Sequence, residues 1–204
     1  MSDIAIIKEL NQHLTRRLKQ VKKISWITKG YVLNEQQNVT HLSIFKSRLN
    51  GTIPSVLFEL KHLQYIDIRD NDINEIPVEI EALKELSYFD IRSNNLCALP
   101  QSINALKKLE RLYLGQNKFT KVPEVISQLN SLRLIDLSDN QLREGCENLL
   151  KAQNLRYIYL NNNQLSNFPF DKVKDSQLDE LVLIDNPLKD QHGIVRHKIE
   201  RLIL

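Results

Sequence analysis

Cysteine is nearly absent from this chain. Only Cys97 and Cys146 occur among 204 residues, too few for a disulfide scaffold, so both thiols read as ordinary small hydrophobes. Glycine is scarce as well: five are spread along the sequence, and no glycine-rich loop is available to cradle a phosphate. No apolar run is long enough to span a bilayer. The opening MSDIAIIKEL carries an acid at Asp3 and lacks the basic start, apolar stretch and small-residue cleavage site of a secretory leader. A cytoplasmic location is therefore expected, where the glycosylation-type triplets at Asn38 and Asn50 have no role. Histidines 13, 41, 62, 192 and 197 are scattered, and His192 and His197 stand five apart, which does not place them on one helical face. No spacing of serine, histidine and aspartate signals an activated nucleophile. The expectation is no enzyme activity, no metal, no cofactor and no small-molecule substrate.

What is present is hydrophobic residue in quantity, 42% of the chain, enough for one domain with a sizeable core. The formal charge of +3 is unevenly placed. Residues 1 to 38 carry seven basic and three acidic groups, residues 189 to 204 carry four and two, and the region between them is mildly acidic. A nucleic-acid binder concentrates positive charge on its working surface, so this distribution disfavours that class.

The hydrophobic residues follow neither a helical nor a simple strand period. LRYIYLNNNQL, residues 155 to 165, sets its aliphatics at spacings of three, two and five. Aligning on that stretch reveals an internal repeat. LQYIDIRDNDINEIPVEIEALKE (63 to 85), LSYFDIRSNNLCALPQSINALKK (86 to 108) and LERLYLGQNKFTKVPEVISQLNS (109 to 131) follow one another without a gap. Two more units of the same length fill 132 to 177, a 24-residue variant occupies 39 to 62, and LDELVLIDNPL (178 to 188) is a truncated seventh.

The pattern L-x-x-L-x-L-x-x-N-x-L, followed by an apolar-proline pair and I-x-x-L, resembles the leucine-rich repeat family in its 23-residue form. The resemblance implies an α/β solenoid, or horseshoe, with a parallel concave β-sheet. Apolar positions 1, 4, 6 and 11 of each repeat are then expected inside, and positions 3 to 7 in a short strand. Position 9 is asparagine in six of seven repeats, Asn71, Asn94, Asn117, Asn140, Asn163 and Asn186, with Ser47 in the first. An amide there can satisfy backbone groups left open as the chain turns inward. Prolines 54, 77, 100, 123 and 169 share a return-loop slot that Cys146, after Gly145, takes in the fifth repeat, so a different path is expected there.

Solenoid ends need caps. Residues 1 to 38 are expected to form the first. Ile4, Ile7, Leu10, Leu14, Leu18 and Val21 predict an amphipathic helix over 2 to about 22, and Ile24, Trp26 and Ile27 are expected to complete the seal. Residues 189 to 204 form the second, with Ile194, Val195, Ile199 and Leu202 suited to a closing helix. Repeats 39 to 188 lie between them in one structural domain.

Positions 3, 5, 7 and 8 are expected on the concave surface. They place Tyr65, Tyr88, Tyr113, Tyr157 and Tyr159 on one face, close enough to form a continuous patch, with Asp67, Asp90, Asp136, Arg69, Arg92 and Arg111 as a mixed-charge field beside the rings. Tyrosine supplies contact area with little rotamer entropy to lose. The plain alternative is that outward tyrosines merely suit strands, and that the charges only pair with each other. The reading that follows is a non-enzymatic module binding a protein partner through these residues. Two alternatives stay open. One is a regulatory or effector subunit acting on a signalling enzyme such as a small GTPase or a phosphatase, and the other is anionic membrane or nucleic-acid binding through the basic caps.

Overall fold

The computed structural model describes residues 1–173, 176–189 and 201–204. Among the described residues nine strands make one sheet in sequence order: β1 (Gly30–Leu33), β2 (Val39–Ser43), β3 (Tyr65–Asp67), β4 (Tyr88–Asp90), β5 (Arg111–Tyr113), β6 (Leu134–Asp136), β7 (Tyr157–Tyr159), β8 (Glu180–Val182) and β9 (Arg201–Ile203). β1 and β2 are antiparallel, and every later pair is parallel. The register sets Tyr65 beside Tyr88, then Arg111, Leu134, Tyr157 and Glu180, so equivalent repeat positions stand side by side.

Alternation along each strand explains the burial. Position 4 (Leu42, Ile66, Phe89, Leu112, Ile135, Ile158 and Leu181) and position 6 (Ile44, Ile68, Ile91, Leu114, Leu137, Leu160 and Leu183) are all buried. Short 3-10 helices follow the prolines at Ser55–Glu59, Val78–Ala82, Gln101–Ala105 and Glu124–Gln128, on the side opposite the sheet. No repeat encloses its own leucines, and stacking does so for all of them.

The asparagine column holds the inward turns. In Asn117 the amide Nδ2 donates to the carbonyls of Ile91 (3.1 Å), Leu114 (3.0 Å) and Gly115 (3.2 Å), and Oδ1 accepts from Leu96 N at 3.0 Å. Asn94, Asn140, Asn163 and Asn186 repeat this geometry, and Asn71 repeats its three donations while its Oδ1 accepts from Ser47 N. Ser47, in the first repeat, only donates Oγ to Phe45 O, and its N–H is taken by Asn71.

Position 8 obeys a rule that was not read from the sequence. Lys46, Asp70, Ser93, Gln116, Asp139, Asn162 and Asp185 all have left-handed φ, between 49° and 57°. Aspartate and asparagine tolerate this region better than most side chains, and the amide N–H of each of the first six reaches the position-7 carbonyl of the next repeat. Asn162 of the NNN run is explained by this backbone requirement.

The fifth repeat departs from its neighbours as expected. Gly145 has φ 89°, and a Cβ there would come within 3.0 Å of Val122 O, so the chain passes closer to the preceding repeat than any other residue would allow. The return segment becomes α2 (Glu147–Lys151), where the earlier repeats have 3-10 turns. Cys146 is buried, which pushes its thiol up to about 12. In the next repeat α3 (Phe170–Val173) fills the same place.

Both caps differ from expectation. Helix α1 covers only Asp3–Leu10, with Ser2 Oγ capping Ala5 N and Asp3 Oδ2 accepting Val39 N at 2.7 Å. Beyond it, Asn11 Oδ1 takes the N–H of Leu18, and the segment around Gln20 pairs with Tyr31 through Val21 N to Tyr31 O and Tyr31 N to Lys19 O. Backbone pairing to β1 thus replaces the later turns of the expected helix. Ile24 is buried, but Trp26 and Ile27 are 76% and 66% exposed and seal nothing. At the other end Leu202 lies on β9 and not on a helix, because residues 201–203 add a parallel strand to β8. Ile194, Val195 and Ile199 fall outside the described residues.

Replacing Asn117 by alanine leaves the Leu96 N–H without a partner and takes one donor each from the carbonyls of Ile91, Leu114 and Gly115, which keep Asn94 Nδ2, Asn140 Nδ2 and Ser93 N. The expected loss is about 2–3 kcal/mol of unfolding free energy, from roughly 1–3 kcal/mol for one orphaned group together with the weakened neighbours. Asn167→Ala, at an exposed site, should change stability by less than about 0.5 kcal/mol. Urea denaturation of the two variants checks the contrast.

Candidate functional site

Odd strand positions turn away from the core, and there the structure assembles two different layers. The outer one is aromatic. His41 and Tyr65 stack at 5.7 Å between centroids, Tyr65 and Tyr88 at 4.3 Å, and Tyr88 meets Tyr113 at 5.1 Å in a tilted arrangement. Three of these rings share position 3, and Tyr113 joins from position 5 of the next strand. Burial raises the phenol pKa of Tyr65 to about 12 and raises those of Tyr88, Tyr113 and Tyr159 as well. All four stay neutral donors at physiological pH.

The expected continuous tyrosine patch is interrupted. Arg111 and Leu134 follow Tyr88 in position 3, and Asp136 separates Tyr113 from Tyr159 in position 5, a gap of roughly 10 Å over two strand spacings. Among the described residues no ring contact joins Tyr157 or Tyr159 to the ladder. Tyr157 is 37% exposed and Tyr159 is half-buried, so they form a separate pair.

The inner layer is ionic, and it lies deeper than an exposed charge field. Asp67 is fully buried and Asp90 is 1% exposed. Asp67 receives Arg69 Nε at 2.8 Å and Nη2 at 2.9 Å, and Ser43 Oγ at 3.1 Å. Asp90 receives Arg92 Nε at 3.0 Å and Nη2 at 2.6 Å, and lies 3.4 Å from Arg69 Nε. Arg92 Nη1 continues to Asp136 at 4.0 Å. An aspartate at position 5 and an arginine at position 7 share a strand face, which is why each pair closes bidentately within one repeat. Burial pushes the Asp90 carboxyl up, against the pull of Arg92, while the carboxylates hold Arg69 and Arg92 firmly charged. Arg111 is exposed and takes no part in the ion pairs of the described residues.

The two layers are coupled. Arg92 lies over the Tyr113 ring at 5.0 Å, and Arg69 over Phe45 at 5.3 Å. Gly115 occupies position 7 next to Arg92, and a Cβ there would sit 3.0 to 3.2 Å from Ser138 Oγ and the Asp136 carboxylate. Its missing side chain opens a recess of about 320 Å³ between Arg69, Arg92, Gln116, Asp136 and Ser138. The one glycine in that column was the available sequence signal for it.

A family model for the leucine-rich repeat region matches residues 38–186. The chain belongs to the leucine-rich repeat family. No curated protein matches it. Among solved structures it is similar to a leucine-rich repeat protein of Leptospira interrogans, at 31% identity and TM-score 0.64, over 69% of this chain and 36% of that one. It is also similar to the ectodomain of the Arabidopsis thaliana membrane receptor kinase GASSHO1/SCHENGEN3, in complex with Casparian strip integrity factor 2, at 32% identity and TM-score 0.61, over 72% of this chain and 18% of that one. A plant peptide hormone receptor, RGFR1, in complex with RGF2, shares 28% identity with TM-score 0.57, over 67% and 23%. The chain therefore spans well under half the length of each. The leucine-rich repeat fold is a protein-interaction module, and no described helix is long and apolar enough to cross a membrane.

Removing Arg69 leaves a buried carboxylate. Arg69→Met is expected to cost about 3 kcal/mol of stability, and Asp67→Asn in the same chain should recover most of it, measured by urea denaturation. His41 gives a pH signature. Burial lowers its pKa below the ordinary 6.5, so the unfolded chain binds the proton first and the stabilising neutral ring is lost as pH falls. Stability should decline from about pH 7 to 5, and less so in His41→Phe.

Proposed function

We propose that this protein is a non-enzymatic binding module that recognises a protein partner on its concave strand surface, with the ring ladder as the main contact and Tyr157 with Tyr159 as a second one. The observation that carries this reading is the stacked run His41–Tyr65–Tyr88–Tyr113, set on a bonded ionic layer. Rings already fixed by their neighbours lose little entropy on binding, and their hydroxyls remain as donors. Two of the similar structures, both of plant receptors, were determined in complex with a named factor, which agrees with recognition as the task of this fold.

In this reading Asp67 and Asp90 support the rings from beneath and do not touch the partner. Arg69 and Arg92 divide their donors between those carboxylates and the surface, while Arg111 is free to meet an acidic group. Orientation and association rate would depend on these charges more than affinity does.

The test is capture from a lysate of the source cells, read by mass spectrometry, with Tyr88→Ala/Tyr113→Ala beside the wild type after circular dichroism shows both folded. A protein retained by wild type should be lost by at least about tenfold from the variant, since anchor tyrosines are worth roughly 2 kcal/mol or more each. Equal recovery would remove the ladder from the interface.

A further inference from the structure

The N-terminal cap and the first repeat together carry a concentration of positive charge. Between residues 11 and 58 there are eight lysines and arginines and a single acid, Glu35. Among the described residues Arg16, Arg17, Lys19, Lys29 and Lys46 form no ion pair. Four of these cations, Arg16, Arg17, Lys19 and Lys29, line a recess of about 420 Å³ with Ile27 and Phe45. Lys29 Nζ is held at the Lys46 carbonyl at 2.8 Å and lies 4.9 Å from the centre of the Phe45 ring. Burial and the nearby Arg16 and Lys46 charges lower the Lys29 pKa, so repulsion has accumulated where an anion would relieve it.

The apolar component lies beside the cations. Residues 25 to 28 form a tight turn, closed by Thr28 N to Ser25 O at 3.0 Å and by the two side-chain hydroxyls at 2.5 Å, which holds Trp26 and Ile27 out at its tip. Arg69 Nη2 donates to Trp26 O at 2.9 Å and also lies over Phe45, so the turn is fastened to the first strands of the concave face. The recess adjoins the ring ladder at its N-terminal end, since Phe45 follows β2, the strand that carries His41. A peptide lying on the ladder would have acidic side chains within reach of the cations and apolar ones within reach of Trp26 and Ile27.

We propose that the cap recess is a docking site for an acidic segment of the protein partner, in which Arg16 and Lys29 bind carboxylates while Trp26 and Ile27 cover adjacent apolar side chains. The proposal rests on the protein-binding reading of the concave face and supplies the chemical class of what binds at one end of it. Affinity here falls with ionic strength, unlike contacts made by the tyrosines.

Trp26 is the only tryptophan in the chain, so its emission reports this site alone. The probe is a hexapeptide of alternating glutamate and leucine, blocked at both ends, with its lysine–leucine counterpart as control. Wild type should give a saturable blue shift with the acidic peptide only. Arg16→Ala and Lys29→Ala, folded by circular dichroism, should each weaken it by about tenfold, as for loss of one charge-assisted hydrogen bond. Tyr88→Ala/Tyr113→Ala should leave the shift intact, so a failure of the ladder reading stays distinct from a failure here. No shift, an equal shift with the lysine peptide, or a shift unchanged in both cap variants overturns the proposal. So does a response confined to phosphatidylserine vesicles, which would assign the cap to a membrane.

Discussion

Everything in this molecule depends on a buried amide at the inward turn of the repeat. Strands of three residues are too short to stand alone, and each must leave the sheet at once with carbonyls pointing into an apolar interior. An unpaired carbonyl there would cost as much as the burial of a leucine contributes. Asparagine offers two donors and an acceptor at the required height, and it spends them on its own repeat and the one before. Glutamine reaches too far and aspartate lacks the donors. With the turn satisfied, leucines can be packed without interruption from α1 to β8.

The same regularity decides what the concave face can be. Parallel strands in register bring equal positions together, so a residue type repeated in sequence becomes a row in space. Two aspartate–arginine pairs in consecutive repeats become a linked ionic layer, and consecutive aromatics become a stack. The carboxylates are not displayed: each is buried and held bidentately by the arginine of its own repeat, and Arg92 in turn lies over the Tyr113 ring. The surface is stiff before any partner arrives, which limits the entropy that binding must overcome.

Much of this was legible in the residues because a repeat multiplies its own signal. The strand columns, the asparagine role and the deviant path at Gly145 all followed from alignment of the repeats. Reading failed where the pattern supplied no second copy. The cap occurs once, so a helical spacing from Ile4 to Val21 concealed a segment that turns at Asn11 to pair with β1, and Trp26 was assigned to a seal it does not make. Position 8 was missed for another reason: lysine, serine and glutamine stand among its aspartates and asparagine, and a backbone requirement met by such mixed chemistry leaves no clear column. Outward direction was also taken for exposure, although a short side chain between long neighbours can face outward and still be covered, as Asp67 is.

The change of return segment in the fifth repeat bears on shape. In a stack of this kind the bend between neighbours is set by the difference in thickness between its front and its back. Strands fix the front at one spacing throughout, while the back passes from slim 3-10 turns to the fuller girth of α2 and α3. A fuller back favours a tighter bend behind Tyr157 and Tyr159 than behind the ring ladder, and Gly145 stands where the back changes.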